Sequence, residues 1–286
     1  MKRIFLVAYT KRKKETGAAL RDALPWLRRM AHVVGVDRED GQDLRRVDAD
    51  LMLVFGGDGT MLSVARRLAG NPIPVLGVNM GQLGFMAEVQ HDELKQVLPR
   101  VLKGEYVLSP RMMLQATFAR RGRTGQKQTL QALNDAVLLR LPKAAMMTVG
   151  VSVSGEPVAN YKGDGLIVSS ATGSTGYSLS AGGPILSERL KALIVVPVCA
   201  HTLASRPIVL AGDEKLEIAP ETRNGSPVEL VMDGQVSVSL KSGTRVTIGR
   251  SPHEFNIVTL GRRGRYEIIR DKLQWAGWIK AKREAT

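Results

Sequence analysis

The chain has one cysteine, Cys199, in 286 residues. A single thiol closes no disulfide within the chain, so the expected setting is a reducing cytoplasm. Lying inside ALIVVPVCA, Cys199 reads as a small apolar residue of a strand. The four histidines (His32, His91, His201 and His253) are scattered without zinc-like spacing. No apolar stretch approaches the ~18 residues of a membrane span. The opening MKRIFLVAYTKRKK has too short an apolar run for a secretion signal, and four cations follow it at once. Two common nucleotide-binding signatures are missing as well. There is no GxxxxGK[ST], and no GxGxxG ends a strand.

What remains is a globular composition, 44% hydrophobic and 24% charged. Its length suits one large domain or two ordinary ones. Lys and Arg outnumber Asp and Glu, 41 to 27, giving a net charge of +14. Such an excess fits a solvated basic surface, a polyanionic small ligand or nucleic acid. The only dense basic run is Lys11-Arg12-Lys13-Lys14, and no aromatics interleave with it. That argues against a stacking platform for single strands. Small anionic ligands are the expectation, with neither nucleic acid nor membrane as partner.

The first hundred residues alternate between two periodicities. RIFLVAY (3–9), HVVGV (32–36), DLMLVF (50–55) and IPVLGVN (73–79) are strand-like. TGAALRDALPWLRRM (16–30), MLSVARRLA (61–69) and DELKQVLPRVL (92–102) carry helical spacing, with Pro25 expected to break the first. This alternation predicts a Rossmann-like parallel sheet with helices on both faces. From about residue 105 the runs become short, β-branched and separated by turns such as GEP, DGQ and KSG. The second half reads as an all-β, sandwich-like domain. The division is therefore 1–104 for an α/β domain and 105–264 for a β-rich domain. A helical tail, 265–286, is expected to pack back on the first.

Residues 53–60 read LVFGGDGT. Glycines at a strand's carboxyl end make room for a phosphate, yet this loop holds an anion, Asp58. One reading is a tight turn in which Asp58 bonds to backbone. The other makes Gly56, Gly57, Gly59 and Thr60 a phosphate loop. Asp58 would then take the proton from an attacking hydroxyl, or help place Mg²⁺.

A second segment, YKGDGLIVSSATGSTGYSLSAGGP (161–184), is more distinctive. Asp164 stands between glycines, then an apolar strand leads into a run of hydroxyls and glycines. Thr172, Ser174, Thr175, Ser178 and Ser180 offer donors and acceptors, a helix start near Ser174 offers amides, and Tyr177 offers a ring for a base. A flexible linker would not lie between two apolar strands. Asn134-Asp135 in LNDAV reads alone as an Asx turn, and Phe85 in VNMGQLGFM reads alone as core.

Together these segments resemble the ATP-dependent NAD kinase family, in the family's order and over most of the chain. The resemblance rests on GGDGT (56–60), NMGQLGF (79–85), Asn134-Asp135, GDGLIVSSATGSTGYSLSAGGPI, AHTLASRPIVL and DGQ (233–235). GGDGT alone is shared with lipid kinases and, in part, with phosphofructokinases. The resemblance implies transfer of the ATP γ-phosphoryl group to the adenosine 2′-hydroxyl of NAD, giving NADP. It implies a divalent ion, usually Mg²⁺, and a homo-oligomer, dimer or tetramer, built through the β-rich domain. By matching position, Asp58 is the base and Gly59 contacts the nucleotide. Phe85, Asn134, Asp135, Lys162, Asp164, Thr175, Gly176, Tyr177, Ser178, Leu179, Ser180 and Gln235 line the NAD site. The sequence departs from the pattern at Gly176 (usually alanine), at Ser170-Ala171 (often Thr-Pro) and at Ala145 (histidine in some members).

Two other functions compete. A lipid kinase would carry an apolar or amphipathic membrane element, and none is evident in the sequence. A non-catalytic nucleotide-binding protein would fit the charge but leave Asp58 without a purpose.

Overall fold

A computed structural model describes residues 1–9, 14–81, 84–119, 125–141, 146–202, 204–262 and 264–274. Lys11-Arg12-Lys13, Gln82-Leu83, Ala145, Leu203 and the tail beyond Gln274 lie outside the described residues.

Four apolar runs build a parallel sheet: β1 (Arg3–Ala8), β2 (His32–Asp37), β3 (Leu51–Phe55) and β4 (Val75–Asn79). Their order is β2-β1-β3-β4, with every neighbour parallel. Parallel neighbours need crossover connections, and α1 (Lys14–Met30) and α2 (Asp58–Leu68) supply them. α1 covers one face through Leu20, Ala23 and Leu27. α2 covers the other through Met61, Val64, Ala65 and Leu68. After the short β5 (Val89–Gln90), α3 (Leu94–Leu102) joins α1 on the first face. α1 runs unbroken through Pro25, where a break was expected. Proline leaves the carbonyl four residues earlier without its amide. Pro25 and Arg21 are both exposed, so water can take that place while the buried stripe stays intact.

The second half is antiparallel. It comprises β6 (Val107–Ala119), β7 (Lys127–Ala132), β8 (Asp135–Arg140), β9 (Met147–Val153), β10 (Glu156–Gly163), β11 (Gly165–Ser170), β12 (Ala192–Val198), β13 (Ile208–Ala211), β14 (Lys215–Thr222), β15 (Val228–Met232), β16 (Val236–Leu240) and β17 (Val246–Thr259). The two apolar runs RVTIG and NIVTL form one strand, β17, with a register shift between Arg250 and Glu254. Six of these strands form a sheet ordered β13-β12-β11-β8-β15-β16. The others extend the first sheet: β17 lies beside β4, parallel, with Ile257 opposite Val75. Inward residues of β6, β9, β14 and β17 meet those of β8, β11, β12 and β15 in one core, as in a sandwich. The fold is thus an α/β N-terminal part followed by a β-sandwich, and one sheet runs through both. A last helix, α5 (Arg265–Leu273), follows β17 with Ile269 buried.

Candidate active site

The GGDGT loop lies at the carboxyl end of β3, and Asp58 opens α2. Gly56 donates its amide to the Val78 carbonyl at 2.9 Å, tying the loop to β4. Thr60 folds back so closely that a side chain on Gly56 would overlap it. Gly57 meets nothing within 4 Å on the side a Cβ would occupy, so the loop is open there. Asp58 does bond to backbone, but not to its own turn. Its Oδ2 accepts the Phe85 amide at 2.9 Å and its Oδ1 the Met86 amide at 3.1 Å. A Cβ on Gly84 would collide with this carboxylate, which explains glycine at that position. An ionised carboxyl offers about four acceptor sites, so two remain for a ligand.

Asp58, Phe85, Asn134, Thr175 and Gly176 line one cleft of about 610 Å³, the size of a ligand site. β17 and α5 close its far side with Ile257, Leu260, Ile268 and Ile269. Glu88 holds that wall, accepting the amides of Leu260 and Arg262 at 2.8 and 2.9 Å. Phe85 is half-buried at the wall rather than sealed in the core. An adjoining recess of about 360 Å³ is lined by Asn134, Asp135, Tyr177 and Asp233. Asn134 belongs to both spaces. Its Oδ1 is buried with no hydrogen-bond partner among the described residues.

Asn134 and Asp135 are held by a residue whose role sequence reasoning missed. The Asp233 carboxylate accepts the amides of Leu133, Asn134 and Asp135 at 3.0, 2.7 and 3.2 Å. Arg66 Nη1 reaches the same carboxylate at 3.1 Å. Burial pushes the Asp233 carboxyl upward, against the pull of these donors. The available signal was the Asp-Gly pair in DGQ. Asp233 and Gly234 have φ of 52° and 64°, the left-handed pair of a three-residue hairpin loop, 233–235, between the paired Met232 of β15 and Val236 of β16. Gln235 is already engaged: its Nε2 donates to the Gly59 carbonyl at 2.8 Å and its Oε1 accepts from Arg66 at 2.6 Å.

The hydroxyl-rich segment folds as a 3-10 turn, Thr172–Thr175, and a single turn α4, Tyr177–Ser180. Its hydroxyls divide. Ser174 is buried, donating to the Ala171 carbonyl at 2.7 Å and accepting the Leu186 amide at 3.0 Å. Ser178 is buried against Gly183 and lines neither space. Leu179 is half-buried and Ser180 exposed, and neither lines either space. Thr172 and Thr175 face the cleft, and the Tyr177 ring, 43% exposed, faces the recess. At Gly176 an added methyl would press on the Gly173 carbonyl at 3.3 Å, so glycine leaves slightly more room than alanine.

Lys162 and Asp164 stand elsewhere. Asp164 pairs with Arg140 at 2.6 Å, and this guanidinium holds its carboxyl below the usual range. The exposed Lys162 precedes it on β10. In register, Ser169 faces Asp135 and Gly165 faces Leu139, so Asp164 lies five residues along from the Asp135 level. That is roughly 17 Å at strand rise. β11 is buried throughout, and the recess runs beside it along β8, from Asn134 and Asp135 past Val137 to Leu139, which pairs with Gly165 next to Asp164.

A larger, more open groove of about 910 Å³ runs along α2 past Arg45, Arg67 and His253. It contains neither Asp58 nor Asn134, and its cations are already paired, Arg67 with Asp37 and Asp40 and Arg45 with Asp43. The smaller cleft is the one that Asp58 and Asn134 line. Among the described residues, no group of three or more His, Cys, Asp or Glu could hold a metal ion, and no helix is long and apolar enough to cross a membrane.

Burial, and then the nearby Asp233 carboxyl, push Asp135 up to about 7. The folded value lies above the ordinary one, so the protonated form stabilises the fold. That stability is complete below about pH 4 and is lost as pH rises through about 7. Asp135→Asn mimics the neutral acid and escapes the loss. The variant should melt progressively higher than the parent as pH rises from about 5 to about 8. A calorimetric difference that does not change with pH would contradict this.

Comparison with known proteins agrees with the geometry. Residues 6–106 match the ATP-NAD kinase N-terminal domain, and residues 133–260 match the ATP-NAD kinase C-terminal domain. The NAD kinase of Geotalea daltonii is 42% identical over 227 residues, 79% of each chain. That of Syntrophotalea carbinolica is 38% identical over 266 residues, 89% of this chain and 92% of the relative. Among solved structures, yeast NADH kinase complexed with NADH superposes with a TM-score of 0.76 at 21% identity, covering 100% of this chain and 90% of that one. An NAD kinase from Archaeoglobus fulgidus in complex with ATP gives 0.73 at 24% identity, covering 95% and 98%. Both domains of the family are matched and relatives about 40% identical cover most of the chain, so this chain belongs to the NAD kinase family.

Proposed function

We propose that this protein transfers the γ-phosphoryl group of ATP to the adenosine 2′-hydroxyl of NAD, with Asp58 as the general base. The observation that carries the reading is the Asp58 carboxylate, fixed by two amides and facing the cleft. As the 2′-oxygen attacks the γ-phosphorus, its proton passes to Asp58, the bond to the bridging oxygen breaks, and ADP leaves. Positioning and charge stabilisation supply most of the acceleration in such transfers. The amides of Phe85 and Met86 fix the carboxylate, leaving its other lone pairs for the hydroxyl. Asn134 Oδ1 is placed to accept from a ribose hydroxyl. Tyr177 would lie against a base, and Gly57 leaves the approach to the loop open.

The donor set suits Mg²⁺ carried by phosphate. Mg²⁺ commonly takes one or two carboxylates with substrate phosphates and water. Of the carboxylates lining the cleft, Asp58, Glu88 and Glu188, Asp58 is the one in the glycine loop and would reach it, and the ion would neutralise charge on the phosphates. The net charge of +14 favours two anionic substrates in the same way. A cytoplasmic location fits a chain with one cysteine.

Lys162 and Asp164 stand roughly 17 Å along the sheet from the Asp135 level, and in this reading they meet the NAD of a second copy across an interface, a dimer or tetramer built through the β-rich region, 105–264. In this reading residues 1–104 form the unit that carries the base.

Asp58→Asn tests the base. Turnover should fall by about 10²–10⁴-fold, while NAD affinity measured by calorimetry changes far less. The new amide group would face a backbone amide of Phe85 or Met86, so rates are compared only where melting curves show both proteins folded. Near-parental kcat would overturn the assignment. Mixing tests the interface. Asp58→Asn and Asp164→Asn chains, each impaired, should regain activity when exchanged into shared oligomers. A mixture no more active than the average of the two would contradict a site shared between copies.

A further inference from the structure

Arg66 lies on α2, roughly two turns beyond Asp58. Its guanidinium is a fork with two occupied arms. Nη1 grips Asp233 at 3.1 Å, and Asp233 in turn holds the amides of residues 133–135. Nη2 grips Gln235 Oε1 at 2.6 Å, and Gln235 Nε2 holds the Gly59 carbonyl at 2.8 Å. One arm leads to Asn134 and Asp135, the other to the residue after Asp58. The Arg66 side chain is 12% exposed and that of Asp233 is 0% exposed, so the ion pair is shielded from water.

We propose that Arg66 is a positioning residue that sets the spacing between the Asp58–Gly59 loop and the Asn134–Asp135 segment. The proposal rests on the kinase reading for what lies between them. Phosphoryl transfer needs the acceptor hydroxyl and the base in register, and the two come from segments far apart in sequence. Arg66 belongs to the helix that carries the base, and through Asp233 and Gln235 it meets the hairpin turn that orients the acceptor segment. A lysine could not replace it. An ammonium is a point charge on a flexible stem, whereas the planar fork addresses two acceptors in fixed directions.

The test uses Arg66→Lys, Gln235→Ala and the double variant, assayed with NAD and ATP beside the parent and well below each melting temperature. Arg66→Lys keeps a cation for the buried Asp233 and loses the fixed fork. It should lower kcat/KM for NAD by on the order of 10–10²-fold, the scale of an ångström's misplacement. Gln235→Ala cuts only the arm to Gly59 and should lower kcat more than it raises KM for NAD. The double variant should be no worse than Arg66→Lys alone, because both cut one chain of contacts. Losses that multiply would overturn the proposal, as would Arg66→Lys kinetics within about twofold of the parent together with a lowered melting temperature, the signature of a purely structural pair. Should Arg66→Lys not fold, Gln235→Ala at an exposed side chain decides alone: unchanged kcat would overturn the proposal. A parent that makes no NADP would sink the kinase reading instead, and that outcome is distinct from an active parent with equally active variants.

Discussion

The buried Asp233 carboxylate takes its donors from both halves of the chain at once. Three amides come from residues 133–135, and a guanidinium comes from the helix that begins at Asp58. A carboxylate so far from water must be paired, and removing one partner of such a pair costs about 3–5 kcal/mol. The halves are therefore joined by more than sheet pairing. β17 lies beside β4, which brings the sandwich to the edge of the parallel sheet. Arg66 and Asp233 add a second tie, from α2 to the turn between β15 and β16. The cleft occupies the space this junction leaves open.

Much of this was legible from apolar periodicity. β1, β3 and β4 are buried at nearly every position, so their runs are continuous and unmistakable. The Asp58 loop could be found because glycines beside a lone acid stand out at the end of such a run. β7 could not. KQTLQA is polar and half-exposed, and it is a strand only because β6 lies next to it. The unity of β17 was hidden for a related reason: RSPHE interrupts two apolar runs, and a register shift absorbs the interruption. Continuity through Pro25 depended on its facing water, which one proline in a sequence does not reveal.

The site was legible where a residue's type declares its chemistry and obscure where its work is done through another residue. Thr175 and Tyr177, which line the cleft and the recess, could be named from their hydroxyl- and glycine-rich segment, whereas Asn134 reads alone as an Asx turn and is named only through the family resemblance. Gly84, which matters because Asp58 presses against it, carried no signal of its own. Asp233 and Arg66 are separated by 167 residues, and no local pattern links them. The hydroxyls of this segment also divide in a way their density does not reveal: Ser174 and Ser178 are buried, and Ser174 bonds the backbone at Ala171 and Leu186. Lys162 and Asp164 are placed by register at the far end of β11, a position that only three-dimensional pairing fixes.

The account stands on one atom of the acceptor, the adenosine 2′-oxygen facing Asp58. NAD lacking that hydroxyl tests it directly. The analogue should bind, by calorimetric titration, with an affinity close to that of NAD, and it should accept no phosphate from ATP. Phosphorylation of the analogue would show that transfer occurs at another oxygen and that Asp58 does not face the group assigned to it.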